Sequence, residues 1–231
     1  MEKELRQLRS LFPEESDSPS APTSNTSKRV IVSMCGIGKV NAALGAAELI
    51  RKYQPDVIVS SGCAGGVGDD LAIQDVVVST EIAYHDVYCG KAIDDSTIYG
   101  QVQGLPARFP ADATLLAKSR QLLEAAAAGE VDDTGSPLPR LVPGLIVTGD
   151  WFVDSREKMR EIVGHFPDTR AVDMESAAIA QTCYIYHVPF ISFRIVSDIP
   201  LSDTHAAQYH DFWNTMADRS FHVTRRFIES L

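Results

Sequence analysis

Short, almost wholly apolar runs alternate along this chain with stretches of helical periodicity. Residues 30–34, 57–60, 76–82, 145–148, 171–173 and 190–196 have the form of strands buried on both faces. After the first run, Val40, Ala43, Leu44, Ala47 and Ile50 recur at helical spacing and predict a helix with one apolar stripe. Leu5, Leu8 and Leu11 predict a short amphipathic helix over residues 2–12, and alanine and leucine content predicts another over 112–128. Further helices are expected at about 155–163, 175–187 and 209–229. Strands alternating with helices, without an internal repeat, imply one α/β domain spanning residues 1–231, built as a three-layer α/β/α sandwich around a mixed, largely parallel twisted sheet. Two segments interrupt the pattern: a polar, Pro/Ser-rich linker at about 13–28 and an acidic, Gly/Pro-containing loop at about 129–140.

Composition narrows the class of function. A chain of 231 residues can bury one sizeable core, and 45% hydrophobic with 23% charged residues is ordinary for a globular protein. The 31 acidic side chains outnumber the 21 basic ones, a net charge of −10, which argues against nucleic acid and anionic membrane surfaces as partners. No apolar run is long enough to span a bilayer, and the charged start Met1-Glu-Lys-Glu-Leu has no secretory signal. Cys35, Cys63, Cys89 and Cys183 lack zinc-like or C-x-x-C spacing, so reduced thiols in a cytoplasmic protein are expected.

Candidate chemistry gathers where apolar runs end in acidic residues. Ala171-Val-Asp-Met-Glu-Ser-Ala-Ala178 and Ser192-Phe-Arg-Ile-Val-Ser-Asp198 place Asp173, Glu175 and Asp198 where ligands collect in open α/β sheets, at the carboxyl ends of strands. Two carboxylates in one partly dry crevice can be driven to different pKa values, one ionised and one able to donate a proton. The plain alternative is an N-cap aspartate and a solvated glutamate at a helix start. Gly36-Ile-Gly-Lys39 is not a P-loop, because Ser33 stands where the first glycine belongs and Val40 where Ser/Thr belongs. Gly62-Cys-Ala-Gly-Gly66 reads as a small-residue turn after a strand, letting backbone approach a ligand or simply packing tightly. Arg194, a cation inside an apolar strand, suggests a role by its position alone. His85 and His205 are taken as structural, since neither has a metal-ligand partner at helical spacing.

Taken together, Val172-Asp-Met-Glu-Ser-Ala-Ala-Ile-Ala180, Arg194-Ile-Val-Ser-Asp198, Cys35-Gly-Ile-Gly-Lys-Val-Asn-Ala-Ala-Leu-Gly45, 55–66, Tyr84-His-Asp86 and Gly144-Leu-Ile-Val-Thr-Gly-Asp150 resemble the nucleoside phosphorylase/nucleosidase superfamily. The match runs in family order from about 29 to 212. Within the superfamily the chain is most similar to nucleosidases of 5′-thio-substituted adenine nucleosides. The resemblance implies Asp198 as the general acid to purine N7, Glu175 as the group that grips the ribose and steadies its cationic transition state, and Glu4 as the activator of water. Cys63, Ala64 and Gly65 would border purine and ribose; Phe152 and Val153 would stack on adenine and read its edge. Met174, Asp173, Arg194, Ser197 and Tyr209 complete the implied substrate site, with Met174 equally readable as core filler. Phosphorylases of the superfamily carry an arginine three residues before Cys63. Ser60 stands there, so water is the expected nucleophile. No cofactor or metal is implied, and a homodimer is, with residues 87–103 of one copy closing the other's site. A phosphorylase and a non-catalytic nucleoside-binding or storage protein remain the alternatives.

The chain also departs from the family. Its expected first strand is absent, and the usual hairpin is replaced by the polar segment 16–27. Either the protein is natively altered there, or the sequence starts downstream of the true beginning. Glu4 is accordingly balanced between the site and a solvated surface position.

Overall fold

A computed structural model describes residues 2–12, 29–92, 95–132, 135–215 and 219–231, so the polar linker 13–28 lies outside the described residues. In chain order the elements are α1 (Glu2–Leu11), α2 (Lys39–Tyr53), β1 (Ile58–Gly66), β2 (Val76–Tyr84), β3 (Phe109–Pro110), α3 (Ala113–Ala127), β4 (Leu141–Thr148), α4 (Arg156–His165), β5 (Thr169–Asp173), α5 (Ser176–Tyr186), β6 (Phe190–Asp198), α6 (His205–Thr215) and α7 (Arg219–Ser230). Local chemistry sets several boundaries. The Asp112 carboxylate accepts from the backbone N–H groups of Thr114 and Leu115 and caps α3, while the Ser155 hydroxyl accepts from Lys158 and caps α4.

The sheet runs β3-β2-β4-β5-β1-β6, and β2 also pairs with β6. Strands β2, β4, β5, β1 and β6 therefore close into a barrel-like ring, with β3 attached to the outer part of β2. Pairs β1–β6, β2–β4 and β4–β5 are parallel. The ring closes through two short antiparallel seams, Gly65 and Gly66 against Val172 and Ala171, and 76–78 against 193–195. Register shifts at 64/65, 79/81 and 145/146 supply the local bends that closure requires. The α/β class and mixed sheet are as the sequence predicts, and the closure is new information.

Several elements differ from expectation. Residues 30–34 lie outside the six strands. Val30–Ser33 and Ile58–Ser61 line one cavity of about 500 Å³ and make no strand pairing with each other. Gly62–Gly66 continues β1 as strand instead of turning, because its small residues pack where Arg194, Pro200 and Val196 press close. On α2 the face turned inward is Ala42, Ala46 and Ile50, against α5, whereas Val40 and Leu44 point out at 69% and 65% exposure. The expected helix over 209–229 is helical on both sides of 216–218, as α6 up to Thr215 and α7 from Arg219, and 216–218 lie outside the described residues.

Burial is organised in clusters. Ala42, Ala46 and Ile50 of α2 join Ala177, Ala178 and Cys183 of α5 against one side of the sheet. Phe193 of β6 packs with Phe212, Phe221 and Phe227, and Leu8 and Leu11 of α1 rest on this cluster. That contact fixes α1 beside β1 and so fixes Glu4.

Candidate active site

The carboxyl ends of β5 and β6 open into a cavity of about 320 Å³, within the usual range for small-molecule sites. Every residue the sequence singled out as a site candidate lines it: Glu4, Cys63, Ala64, Gly65, Phe152, Val153, Asp173, Met174, Glu175, Arg194, Ser197, Asp198 and Tyr209.

Asp198 is the last residue of β6 and is 6% exposed. Ser197 Oγ lies 2.7 Å from its Oδ1 and 3.2 Å from the Ala64 carbonyl oxygen. Burial raises the Asp198 pKa, with the Ser197 hydrogen bond and the His205 charge offsetting only part of that. The group therefore holds its proton to higher pH than a solvated aspartate does.

Glu175 stands at the start of α5 but does not cap it. Its Oε1 accepts instead from the backbone N–H of Gly38, 3.0 Å away, at the N-terminus of α2. Burial, then the neighbouring Asp173 charge, raise its pKa, while the Gly38 hydrogen bond and Arg194 pull it down. The cap of α5 comes from Asp173, which accepts from the Ser176 backbone N–H.

Asp173 reaches the cavity, yet its carboxylate is engaged by Thr148 Oγ1, Ser176 and Arg194 Nε. The Asp173–Arg194 contact is 2.6 Å with both side chains buried. Arg194 Nη2 donates to Ser60 Oγ at 2.9 Å and Nη1 to the Phe193 carbonyl at 3.3 Å. Burial opposes the Arg194 charge, and Asp173 and Glu175 outweigh it, so its pKa is raised. The hydroxyl at position 60 is thus held by this internal guanidinium, which is itself committed to protein partners.

Glu4 enters the site from α1. Its Oε1 accepts from the Cys63 backbone N–H at 2.8 Å. A Cβ on Gly62 would sit 3.1 Å from Glu4 Oε1 and 3.3 Å from Arg194 Nη1, so glycine is what lets both groups crowd β1. The solvated-surface alternative for Glu4 does not hold. Desolvation pushes the Cys63 thiol up to about 12, which leaves it a neutral wall and not a nucleophile.

The apolar wall is Phe152 against Tyr209, ring centroids 5.3 Å apart and nearly perpendicular, with Val153 buried behind. His205, at the start of α6, places its ring nitrogens 3.2 Å from the Ser202 carbonyl and 2.9 Å from that of Asp154, which ties the helix carrying Tyr209 to the 151–154 loop. His85 is buried beside Gly149, a packing position. Among the described residues no group of three or more His, Cys, Asp or Glu could hold a metal ion. Sequence reasoning missed Ser33, Met34, Cys35 and Ile37, which also line the cavity. The Gly36–Gly38 turn was the signal, since a loop that lets backbone approach a ligand also brings its neighbours.

Comparison with known proteins agrees with this geometry. The model of the phosphorylase superfamily matches residues 2–229. A 5′-methylthioadenosine/S-adenosylhomocysteine nucleosidase from an Exiguobacterium species is 42% identical over 174 residues, 74% of this chain and 67% of the relative. One from a Geobacillus species is 35% identical over 240 aligned residues, covering 100% of this chain and 96% of the relative. The crystal structure of the Neisseria meningitidis nucleosidase in complex with methylthio-immucillin-A matches with TM-score 0.81 and 36% identity, covering 98% and 96% of the two chains. The Helicobacter pylori structure matches with TM-score 0.82 and 26% identity over 100% and 95%. The chain therefore belongs to the phosphorylase superfamily and, within it, to the 5′-methylthioadenosine/S-adenosylhomocysteine nucleosidase family.

Proposed function

We propose that the protein is an N-glycosyl hydrolase that cleaves 5′-thio-substituted adenine nucleosides, 5′-methylthioadenosine and S-adenosylhomocysteine, to adenine and the thioribose. The carrying observation is the convergence of Glu4, Glu175 and Asp198 in one cavity beside an aromatic wall. Asp198 gives its proton to purine N7 as the C1′–N9 bond breaks and the bonding pair leaves with adenine. Glu175 holds the ribose hydroxyls and offsets the positive charge growing on the sugar, the kind of term that is often largest in catalysis. Glu4 takes a proton from the water that attacks C1′. Adenine lies between Phe152 and Tyr209, with Val153 at its edge. Met174 and the 63–65 backbone face the sugar.

Water is favoured over phosphate because Ser60 and Arg194 satisfy each other, so the lining offers no uncommitted guanidinium fork for an anion. Adenine release from 5′-methylthioadenosine should proceed equally with and without phosphate. A strict phosphate requirement with formation of the sugar 1-phosphate would instead establish a phosphorylase, and tight binding without release a storage protein.

Finer features belong to the same reading. The chain forms one domain, in which the described part of the acidic 129–140 segment joins α3 to β4. Its helices form two layers outside the ring, α2 with α5 and α3 with α1 and α7, in line with their mutual contacts. The working unit is a homodimer. Tyr88 and Ile98 are 63% and 57% exposed and line no part of their own chain's cavity, in keeping with a loop that serves the partner. Four free cysteines suit the cytoplasm, and among the described residues no helix is long and apolar enough to cross a membrane.

A further inference from the structure

Three neighbouring strands end in charged groups beside the cavity, of which Glu175 lines it while Lys39, Asp86 and Asp150 stand behind the Gly36–Gly38 turn. Asp86 follows β2, Asp150 follows β4 and Glu175 follows β5, all at carboxyl ends; Lys39 opens α2. Lys39 Nζ donates to Asp86 Oδ2 at 2.7 Å and lies 3.8 Å from Asp150 Oδ2. The Asp150 backbone N–H donates to the same Asp86 oxygen at 2.8 Å, and the Lys39 backbone N–H donates to Asp150 Oδ1 at 2.7 Å. The next N–H back along the chain, that of Gly38, is the one that meets Glu175 Oε1. Gly38 has φ of 85°, and a Cβ there would strike Asp150 Oδ1 at 2.9 Å, so this approach needs glycine. Gly149 is likewise pressed against His85 and Asp86, which allows the two loops to meet.

We propose that Lys39, Asp86 and Asp150 are positioning residues for the glycosidic cleavage: they clamp the Gly36–Gly38 turn so that the Gly38 N–H and the N-terminus of α2 hold Glu175 in place for the ribose. The inference rests on the reading of Glu175 given above. Its physical content is that α2 has no side-chain cap of its own, and two carboxylates from distant strands supply one. Asp150 carries the load that frees Glu175 to share its oxygens with a substrate. Without the Lys39 ammonium, Asp86 and Asp150 repel each other, the turn drifts and the Glu175 hydrogen bond is lost.

The charged and titratable groups facing Glu175 are Asp173 at the end of β5, Arg194 on β6, Cys35 before the turn and the α2 N-terminus. Of these the clamp governs only the last. Losing it removes an influence that lowers the Glu175 pKa, so the carboxylate protonates at higher pH and the acidic limb of the kcat/KM profile moves up.

The test compares Lys39→Met, Lys39→Arg, Asp86→Asn and Glu175→Gln by adenine release across pH. Lys39→Met and Asp86→Asn should lose about tenfold or more in kcat/KM, mostly in kcat, and shift the acidic limb up by about half a unit. Lys39→Arg should restore both. The limb's midpoint does not depend on how much of a variant is folded, so poor folding cannot imitate the shift. An unmoved midpoint in Lys39→Met and Asp86→Asn, with Glu175→Gln inactive, would overturn the clamp alone. Full activity in Glu175→Gln would overturn the reading of Glu175 beneath it.

Discussion

At the scale of single residues, the site is defined by carboxyl groups held in unlike surroundings. Asp198 is buried at a strand end beside a hydroxyl, Glu175 is half-buried against a helix N-terminus, and Glu4 receives a backbone N–H from β1. On the proposed mechanism, Asp198→Asn keeps the shape and a hydrogen-bond donor for N7 but has no proton to give up. Its turnover should fall by about 10²-fold or more while ligand affinity changes little. Retention of more than about a tenth of the wild-type rate in a steady-state assay would reassign the acid. The same substitution carries a signed effect on stability. Because the folded pKa of Asp198 is raised, the preference for its protonated form stabilises the fold below the unfolded pKa and is lost as pH rises through the folded value. Asn never ionises. Thermal scans should therefore show Asp198→Asn gaining on wild type as pH increases through that window, with the two converging in acid; a deficit at neutral pH would contradict the burial argument.

At the scale of elements, helix starts show which contacts serve the fold and which serve the site. Helix α3 is capped by its own Asp112 and α4 by its own Ser155. Helix α2 is capped from afar, by Asp150 and Glu175, and α5 by Asp173 while Glu175 looks elsewhere. Asp112→Ala should cost about 1 kcal/mol in denaturant unfolding and leave kcat/KM unchanged, since it removes an ordinary cap remote from the cavity. Asp150→Ala should instead depress kcat/KM, because Asp150 holds the Lys39 N–H, next along the chain to the Gly38 N–H that faces Glu175. Equal effects of the two on activity would remove the distinction.

At the scale of the whole molecule, the exposed apolar groups are the unusual feature. Met34, Ile37, Val40 and Leu44 run from the cavity's edge along the outer side of α2, and Tyr88 and Ile98 project from the 87–103 loop. Val131, Trp151 and Tyr184–Tyr186 are exposed as well, and in the proposed homodimer the α2 side is the face a second copy would cover. Sedimentation at micromolar concentration should give about twice the 25.2 kDa chain mass. Leu44→Glu should yield monomers with little loss of thermal stability and with lower activity. A fully active 25.2 kDa monomer would show that no partner loop is needed.

The sequence by itself determined what depends on local pattern. Apolar runs located β1, β2, β4, β5 and β6, though not β3, and 30–34 has the form of a strand that the fold does not use; the acidic ends of β5 and β6 pointed to the cavity, because strand ends are where backbone leaves room for a ligand. The order of family motifs added Glu4, Phe152 and Tyr209, which no periodicity could connect. Tertiary structure decided the rest. Periodicity finds a stripe but not its neighbour, so Val40 and Leu44 read as core when the inward face is Ala42, Ala46 and Ile50. A run of small residues reads as a turn, yet Gly62–Gly66 is strand because it pairs with β6 from Arg194 and with β5 at Ala171 and Val172. Ring closure depends on bulges and on two short antiparallel seams between strands far apart in sequence. The Gly38–Glu175 hydrogen bond joins residues 137 positions apart, and its partners become known only when the chain has brought β2, β4, β5 and α2 to one end of the sheet.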